Sequence, residues 1–176
     1  IRPLVVMAPK SLLRHPLVAS SKEELSQGKF QPVLEQPGLG KNPEKVERIL
    51  LCTGKIAIDL AEQLPKMEAV DWFHILRIEE LYPFPMKEIS MFLQRFPNLK
   101  EIAWVQEEPK NMGAWPYVEP EIHALTPAGV EVFYIGRKRR SSTAEGDPVV
   151  HKHEQARIIR EALTRGIPPF GTAIPE

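Results

Sequence analysis

Apolar positions along the chain follow two spacings, and the two alternate. Runs that are apolar at nearly every position indicate strands buried on both faces, as in the interior of a parallel sheet. Four such runs occupy residues 48–53, 70–78, 99–106 and 130–135. After each of them apolar residues recur every three or four positions, which predicts a helix. The repeated alternation of strand and helix predicts a three-layer α/β domain with a mainly parallel sheet.

Capping and breaking residues predict where several helices begin and end. Gly54 opens the first helix of the alternating region and Pro65 ends it. Asp147 stands directly before a proline and is the predicted cap of the last helix. Near the start of the chain, Ser21 and Glu24 have the spacing of a capping box, which predicts one further helical turn.

The early part of the chain follows a different pattern. Residues 4–8 are apolar on both faces and predict a short strand. Prolines and glycines crowd residues 31–45, so we predict a linker there. We therefore expect residues 1–44 to comprise the last strand of an upstream domain of a longer polypeptide and a linker. Residues 45–176 are expected to form the α/β domain.

Composition narrows the class of protein. Of the 176 residues, 43% are hydrophobic and 26% are charged, which is typical of a soluble globular domain. The formal net charge is zero, so no general basic field favours nucleic acid. No apolar run approaches the ~20 residues that span a bilayer, so we expect no membrane partner and a cytoplasmic location. The one cysteine, Cys52, lies in an apolar run and is interpreted as a small apolar filler.

Positive charge is concentrated after the fourth predicted strand, where Arg137, Lys138, Arg139 and Arg140 are consecutive. Residues 137–165 hold eight Lys and Arg against four Asp and Glu. The carboxyl ends of parallel strands are where α/β proteins bind ligands and partners. We therefore predict that Arg137, Arg139 and Arg140 form a contact for an acidic partner or an anionic ligand.

A competing interpretation makes Arg137 structural. In that case Arg137 anchors the loop through a carboxylate such as Glu107 or Glu108, and the other cations are only solvated. The aromatic stretch from Trp104 to Tyr117 leaves two similar alternatives, a partner surface or a loop that folds back on its own sheet.

The chain lacks the patterns of the common catalytic and metal sites. The Gly54-Lys55 pair has neither the upstream glycine nor the following hydroxyl residue of a phosphate-binding loop. Glu107 and its neighbour in sequence point to opposite sides of a strand, so they form no facing acid–base pair. His151 and His153 are two positions apart on a predicted helix and diverge too far to share a metal. We predict no catalytic, cofactor-binding or metal-binding residue in this chain.

Five blocks of sequence, in order, resemble the 2-oxoglutarate dehydrogenases, the thiamine-diphosphate-dependent decarboxylating components of their complex. The blocks are PLVVMAPKSLLRHP at residues 3–16, LLCTGK at 50–55, RIEELYPFP at 77–85, WVQEEPKNMG at 104–113, and YIGR at 134–137 followed by AEG at 144–146 and HK at 151–152. The RKRR run and Thr143 resemble the version found in Gram-positive bacilli.

The resemblance implies a transketolase C-terminal-like domain from about residue 45, within a larger homodimeric subunit. Residues 1–16 would then end the preceding pyrimidine-binding domain. In this family thiamine diphosphate and Mg²⁺ bind between the two upstream domains. The implied reaction is decarboxylation of 2-oxoglutarate with transfer of the succinyl group to a lipoyl arm of an acyltransferase component. The implied share of this segment is architectural, because it closes the dimer, backs the pyrimidine domain and offers surface to other components.

Two other functions stay open at this point. One is a regulatory or docking module, in which the helix N-terminus at Gly54 and the basic loop bind an anion such as an acyl-CoA phosphate. The other is a stand-alone flavodoxin-like binding protein, which a chain that opens directly in a strand does not favour.

Overall fold

The computed structural model describes residues 3–166, which fall into two compact units divided between Phe30 and Gln31. The first unit contains two short 3₁₀ turns, at Lys10–Leu12 and Pro16–Val18, and helix α1, Lys22–Gln27. The predicted capping box begins α1, since the Ser21 hydroxyl accepts from the Glu24 N–H at 3.1 Å and the Glu24 carboxylate accepts from the Ser21 N–H at 2.7 Å.

The strand predicted over residues 4–8 is wrong for this chain. These residues form no regular element, and their apolar side chains are exposed, with Leu4 at 87% and Met7 at 92%. A strand that is apolar on both faces needs a neighbouring strand on each side, and no strand among the described residues pairs with it.

Between residues 31 and 166 the second unit contains a five-stranded sheet and four α-helices, besides two short 3₁₀ turns at Pro43–Lys45 and Leu64–Lys66. Its elements in chain order are β1 (Val33–Glu35), β2 (Arg48–Cys52), α2 (Lys55–Ala61), β3 (Phe73–Ile78), α3 (Met86–Leu93), β4 (Glu101–Pro109), α4 (Trp115–Leu125), β5 (Glu131–Arg137) and α5 (Pro148–Leu163). The four predicted strands and their helices are confirmed, and β4 continues three residues beyond its predicted end at residue 106.

The sheet has the strand order β1-β3-β2-β4-β5, and all pairs are parallel except that of β1 with β3. Alternate residues of each strand face opposite layers. Ile49 and Trp104 pack beneath α3 and α4, whereas Leu50 and Val105 pack beneath α2 and α5. The three-layer α/β architecture with a mainly parallel sheet is therefore confirmed.

The predicted linker over residues 31–45 is wrong, because the segment is part of the second unit. It contributes the antiparallel edge strand β1, whose Val33 is buried, and it buries Leu39. Gly40 has φ of +68°, and a Cβ there would come within 2.9 Å of the imidazole of His74. The glycine that suggested a linker is therefore required by a turn that packs on the sheet.

His74 on β3 fixes this edge of the sheet by contacting the edge strand β1. Its Nε2 lies 2.9 Å from the carboxylate of Glu35 on β1, which also accepts a hydrogen bond from Arg95 at 2.8 Å. Burial lowers the pKa of His74 below its ordinary value, although Glu35 opposes the shift. The pair ties the short strand β1 to the buried start of β3.

Arg48, fully buried at the start of β2, holds the end of α5. Its guanidinium donates to the Glu101 carboxylate at 2.6 Å and to the carbonyls of Glu161, Ala162 and Thr164 at 3.1–3.2 Å. It also lies over the rings of Trp72 and Phe133, 5.1 and 5.4 Å from their centroids. The last carbonyls of a helix have no partner within the helix, so a buried cation satisfies them and the negative end of the dipole together.

We predict that Arg48→Met lowers the free energy of unfolding by about 3–5 kcal/mol, because it leaves buried carbonyls and Glu101 without their cation. The matched control is Lys45→Met, which breaks an ion pair with Asp71 whose two side chains are 62% and 43% exposed. That control should cost at most about 1 kcal/mol. Equilibrium urea denaturation measures both changes, and equal losses would contradict a capping role for Arg48.

Candidate partner interface

The carboxyl end of the sheet carries the loop predicted as a contact site, and α5 follows it. We call residues 138–147, which connect β5 to α5, the basic loop. As predicted, Asp147 caps α5, since its carboxylate accepts from the N–H groups of Val149 and Val150 at 2.7 and 3.0 Å. These N–H groups are those that a bound phosphate would need, so the chain's own carboxylate already occupies the helix N-terminus.

Arg137 is buried, with 1% of its side chain exposed, and it anchors the basic loop. Its Nε donates to Glu145 at 2.8 Å and its Nη1 donates to the backbone carbonyl of Glu107. Its Nη2 lies 3.3 Å from Nδ1 of His151. This burial and pairing disfavour a partner contact through the charge of Arg137. The competing interpretation is right about its structural role, but the carboxylate is that of Glu145.

Glu145 joins the buried arginine to a second one. Its side chain is 6% exposed, and its other oxygen accepts from Nη1 of Arg140, whose side chain is 31% exposed. Burial raises the pKa of the Glu145 carboxyl, but the hydrogen bond from Arg137, a backbone hydrogen bond and the two cations outweigh it, so the pKa is lowered. The loop is thus closed around one ionised carboxylate.

The backbone of the loop is also fixed, by Asn111 from the turn after β4. The Asn111 side chain accepts from the Arg140 N–H at 3.1 Å and donates to the Arg140 carbonyl at 3.0 Å. Lys138 and Arg139 lie before this clamp, and both side chains are exposed. Arg139 makes no hydrogen bond or ion pair with any residue from 3 to 166. Of the three predicted contact residues, Arg139 is therefore the one presented to solvent with its charge unmatched.

The crevice between β2 and β4 is where an open α/β sheet of this order places its ligands, because α2 and α4 leave on opposite faces. In this protein the chain's own side chains bridge it. Lys55 pairs with Asp59 and lies 3.4 Å from Glu107, and Gln155 donates to the same two carboxylates at 2.8 and 2.9 Å. Because these two carboxylates lie beside the start of α2, this helix N-terminus is a poor site for an anion. This disfavours the alternative in which an anion such as an acyl-CoA phosphate binds at Gly54.

The aromatic stretch from Trp104 to Tyr117 folds back on its own sheet, which decides between the two alternatives. Gln106 holds it: its Oε1 accepts from the indole of Trp104 at 2.8 Å and from the backbone of Trp115 at 3.1 Å. Its Nε2 donates to the carbonyls of Glu108 and Pro109 at the end of β4 and, at 2.8 Å, to that of Met112 in the following turn. Sequence reasoning missed Gln106, and the available signal was a polar residue within a buried apolar run.

The other candidate groups serve the fold. Burial raises the pKa of Cys52 to about 12, so its thiol stays protonated and fills space in the core. Glu107 lies within β4 rather than after it. Within residues 3–166, no group of three His, Cys, Asp or Glu side chains could hold a metal ion. No helix in the same range is long and apolar enough to cross a bilayer.

We predict that Glu145→Gln lowers the free energy of unfolding by about 3 kcal/mol at neutral pH, because Arg137 then stays buried without its anion. The folded pKa of Glu145 is lowered, so this stabilisation is complete above the ordinary value of 4.5 and is lost as the pH falls through the folded pKa. The difference between wild type and variant should therefore shrink below about pH 4.5. Urea denaturation across pH measures it. Glu68→Gln, at an exposed carboxylate, is the control, and a pH-independent difference would contradict the ionic role.

Comparison with known proteins matches the model of the family described as 2-oxoglutarate dehydrogenase C-terminal to residues 19–163. The chain is 66% identical to the 2-oxoglutarate dehydrogenase E1 component of Geobacillus sp. (strain WCH70) over 94% of its own length and 17% of that protein's. It is 57% identical to the E1 component of Bacillus subtilis (strain 168) over 94% of its length and 18% of that protein's.

A third relative, the E1 component of Exiguobacterium sp. (strain ATCC BAA-1283 / AT1b), is 59% identical over 97% of the chain and 18% of that protein. The chain thus spans less than a fifth of the length of these curated relatives. The predicted resemblance, including its likeness to bacilli, is confirmed. The chain belongs to the 2-oxoglutarate dehydrogenase C-terminal family.

Proposed function

We propose that this chain acts within a full-length 2-oxoglutarate dehydrogenase E1 subunit, as its C-terminal structural domain. The observation that carries the proposal is the family match over residues 19–163, together with 66% identity to an E1 component. The whole subunit would decarboxylate 2-oxoglutarate and transfer the succinyl group to a lipoyl arm of the acyltransferase component. Thiamine diphosphate would supply the electron sink for that decarboxylation, with Mg²⁺ holding the diphosphate.

The described residues do not fit that cofactor. They include no cluster of metal ligands, and the crevice at the carboxyl end of the sheet is bridged by Lys55, Asp59, Glu107 and Gln155. We therefore assign the cofactor to other parts of the subunit. Residues 1–16 would complete the preceding pyrimidine-binding domain, in line with the unpaired apolar side chains of residues 4–8. The subunit would be a cytoplasmic homodimer.

A second role, as a docking surface, is favoured by the arrangement of the basic loop. Glu145 and Asn111 hold the loop in one conformation while Lys138 and Arg139 face solvent. We propose that this surface contacts an acidic partner. An acyl-CoA phosphate is the weaker alternative, because Asp147 occupies the N-terminus of α5 and carboxylates lie at the start of α2.

We predict that the chain on its own does not turn over 2-oxoglutarate in the presence of thiamine diphosphate, Mg²⁺ and ferricyanide as electron acceptor. The full-length subunit should do so under the same conditions, because only it contains the upstream domains. Steady-state reduction of ferricyanide measures both. Turnover by the chain alone would contradict the structural role, and no turnover by the full-length subunit would contradict the enzyme assignment.

We further predict that Arg139→Glu in the full-length subunit weakens binding of the acyltransferase component at low ionic strength while leaving ferricyanide turnover unchanged. Each exposed contact contributes only about 0.2–1 kcal/mol, so the expected loss in affinity is up to about fivefold and fades with added salt. Lys66→Glu, at an exposed lysine after α2, is the control for a change of net charge. Equal effects of the two variants would show that the basic loop is only a solvated face.

A further inference from the structure

The outer edge of the sheet at β5 is open for part of its length. The Glu131 N–H donates to Lys100 at 2.8 Å and the Lys110 N–H donates to the Arg137 carbonyl at 3.0 Å, so the odd-numbered residues of β5 direct their backbone groups toward β4. The backbone N–H and C=O groups of the even-numbered residues then point away from β4, because the direction of these groups alternates along a strand. The Gly136 carbonyl accepts from Arg157 at 2.9 Å.

The backbone groups of Val132 and Tyr134 thus face outward, and no backbone group among residues 3–166 pairs with them. A cavity of about 320 Å³ runs along this edge. It is lined by Val132, Phe133 and Tyr134 together, although Phe133 points to the opposite face from its two neighbours. Trp115 and Glu119 of α4 also line it, so the cavity lies between α4 and the outer strand β5.

The carboxyl-terminal end of this groove is positively charged. Lys110, Lys138 and Arg139 line it, and Lys110 lies 5.9 Å from the centre of the Tyr134 ring. The charge of Arg137 is matched by Glu145, so it does not add to the field. One carboxylate, Glu119, lies among the lining residues. The groove therefore favours an occupant that carries negative charge near one end.

We propose that the edge of β5 binds an extended acidic segment of a partner protein by strand addition. The segment pairs its backbone with Val132 and Tyr134, and its carboxylates contact Arg139. This mode combines the two features of the groove, since an exposed edge gives main-chain hydrogen bonds and flanking side chains give specificity. The inference deepens the docking role proposed above by naming the chemistry of the partner and the strand that receives it.

Two other occupants fit less well. A second copy paired antiparallel about Tyr134 would place Arg139 opposite Gly129, so no carboxylate would lie directly opposite it and the nearest, Glu131, would be two positions away. Single-stranded nucleic acid needs exposed aromatic faces for stacking. The rings in this groove are covered, with Trp115 at 3% and Tyr134 at 9% exposure.

The test uses the full-length subunit and a fluorescent eight-residue peptide in which valine alternates with glutamate. Fluorescence anisotropy at low ionic strength should show binding of this peptide and none of its counterpart with lysine in place of glutamate. A third peptide has the acidic sequence with alternate backbone nitrogens methylated, which blocks strand pairing but keeps the charge. It should bind about tenfold more weakly or not at all, because it loses two or more main-chain hydrogen bonds.

Two variants locate the site. Val132→Pro removes an outward N–H while keeping the ladder to β4, as edge positions allow, and Arg139→Glu reverses the charge at the groove. Val132→Pro should weaken binding of the acidic peptide about tenfold and Arg139→Glu up to about fivefold, whereas Lys66→Glu should not weaken it. Unchanged ferricyanide turnover and urea midpoint show that both variants fold.

Equal binding of the methylated and unmethylated acidic peptides would overturn strand addition. So would a peptide that does not bind, or a change in oligomeric state of Val132→Pro by sedimentation, which would assign the edge to a second copy. If the wild-type full-length subunit does not reduce ferricyanide, the proposed enzyme activity is contradicted instead. The proposal of strand addition is tested separately, because peptide binding does not depend on catalysis.

Discussion

The buried ion pair of Arg137 and Glu145 is the interaction on which the carboxyl end of this domain depends. An arginine at the last residue of β5 cannot leave the core once Ile135 and α5 are packed, so its charge needs an anion of the same chain. Glu145 provides it, eight residues later, and the intervening loop must return to make the contact. The geometry of the basic loop follows from that one requirement, with Asn111 fixing the backbone at Arg140.

Contacts with Glu145 distinguish the cations that support the loop from those that lie on the surface. Four consecutive cations look equivalent in sequence, yet Arg137 is fully buried, Arg140 is held by the second oxygen of Glu145, and Lys138 and Arg139 remain on the surface. A buried cation with a partner contributes to stability and to the direction of the loop. An exposed one contributes to recognition, through weak contacts that salt reduces. The loop therefore presents the unmatched charge of Arg139 on a support made by Arg137, Glu145 and Arg140.

Polar side chains occupy the position where many sheets of this order bind ligands. Lys55, Asp59, Glu107 and Gln155 satisfy one another across the crevice between β2 and β4. Arg48 has a comparable role at the opposite end of the sheet, where it donates to the last carbonyls of α5. Internal ionic networks thus fix both ends of the strands, and the open edge of β5 remains for contact with a partner.

The sequence by itself determined the α/β class, the four parallel strands and the capped start of α5, because these depend on local spacing and on single capping residues. It also carried the family resemblance, through blocks such as WVQEEPKNMG. Tertiary structure decided what local spacing cannot show. β1 is a strand only because β3 offers its edge and His74 contacts Glu35, and Gln106 is a hub only because the turn after β4 folds back onto it. Four adjacent cations have identical local patterns, so burial alone separates Arg137 from Arg139. Burial is a property of the packed sheet, and no window of sequence contains it.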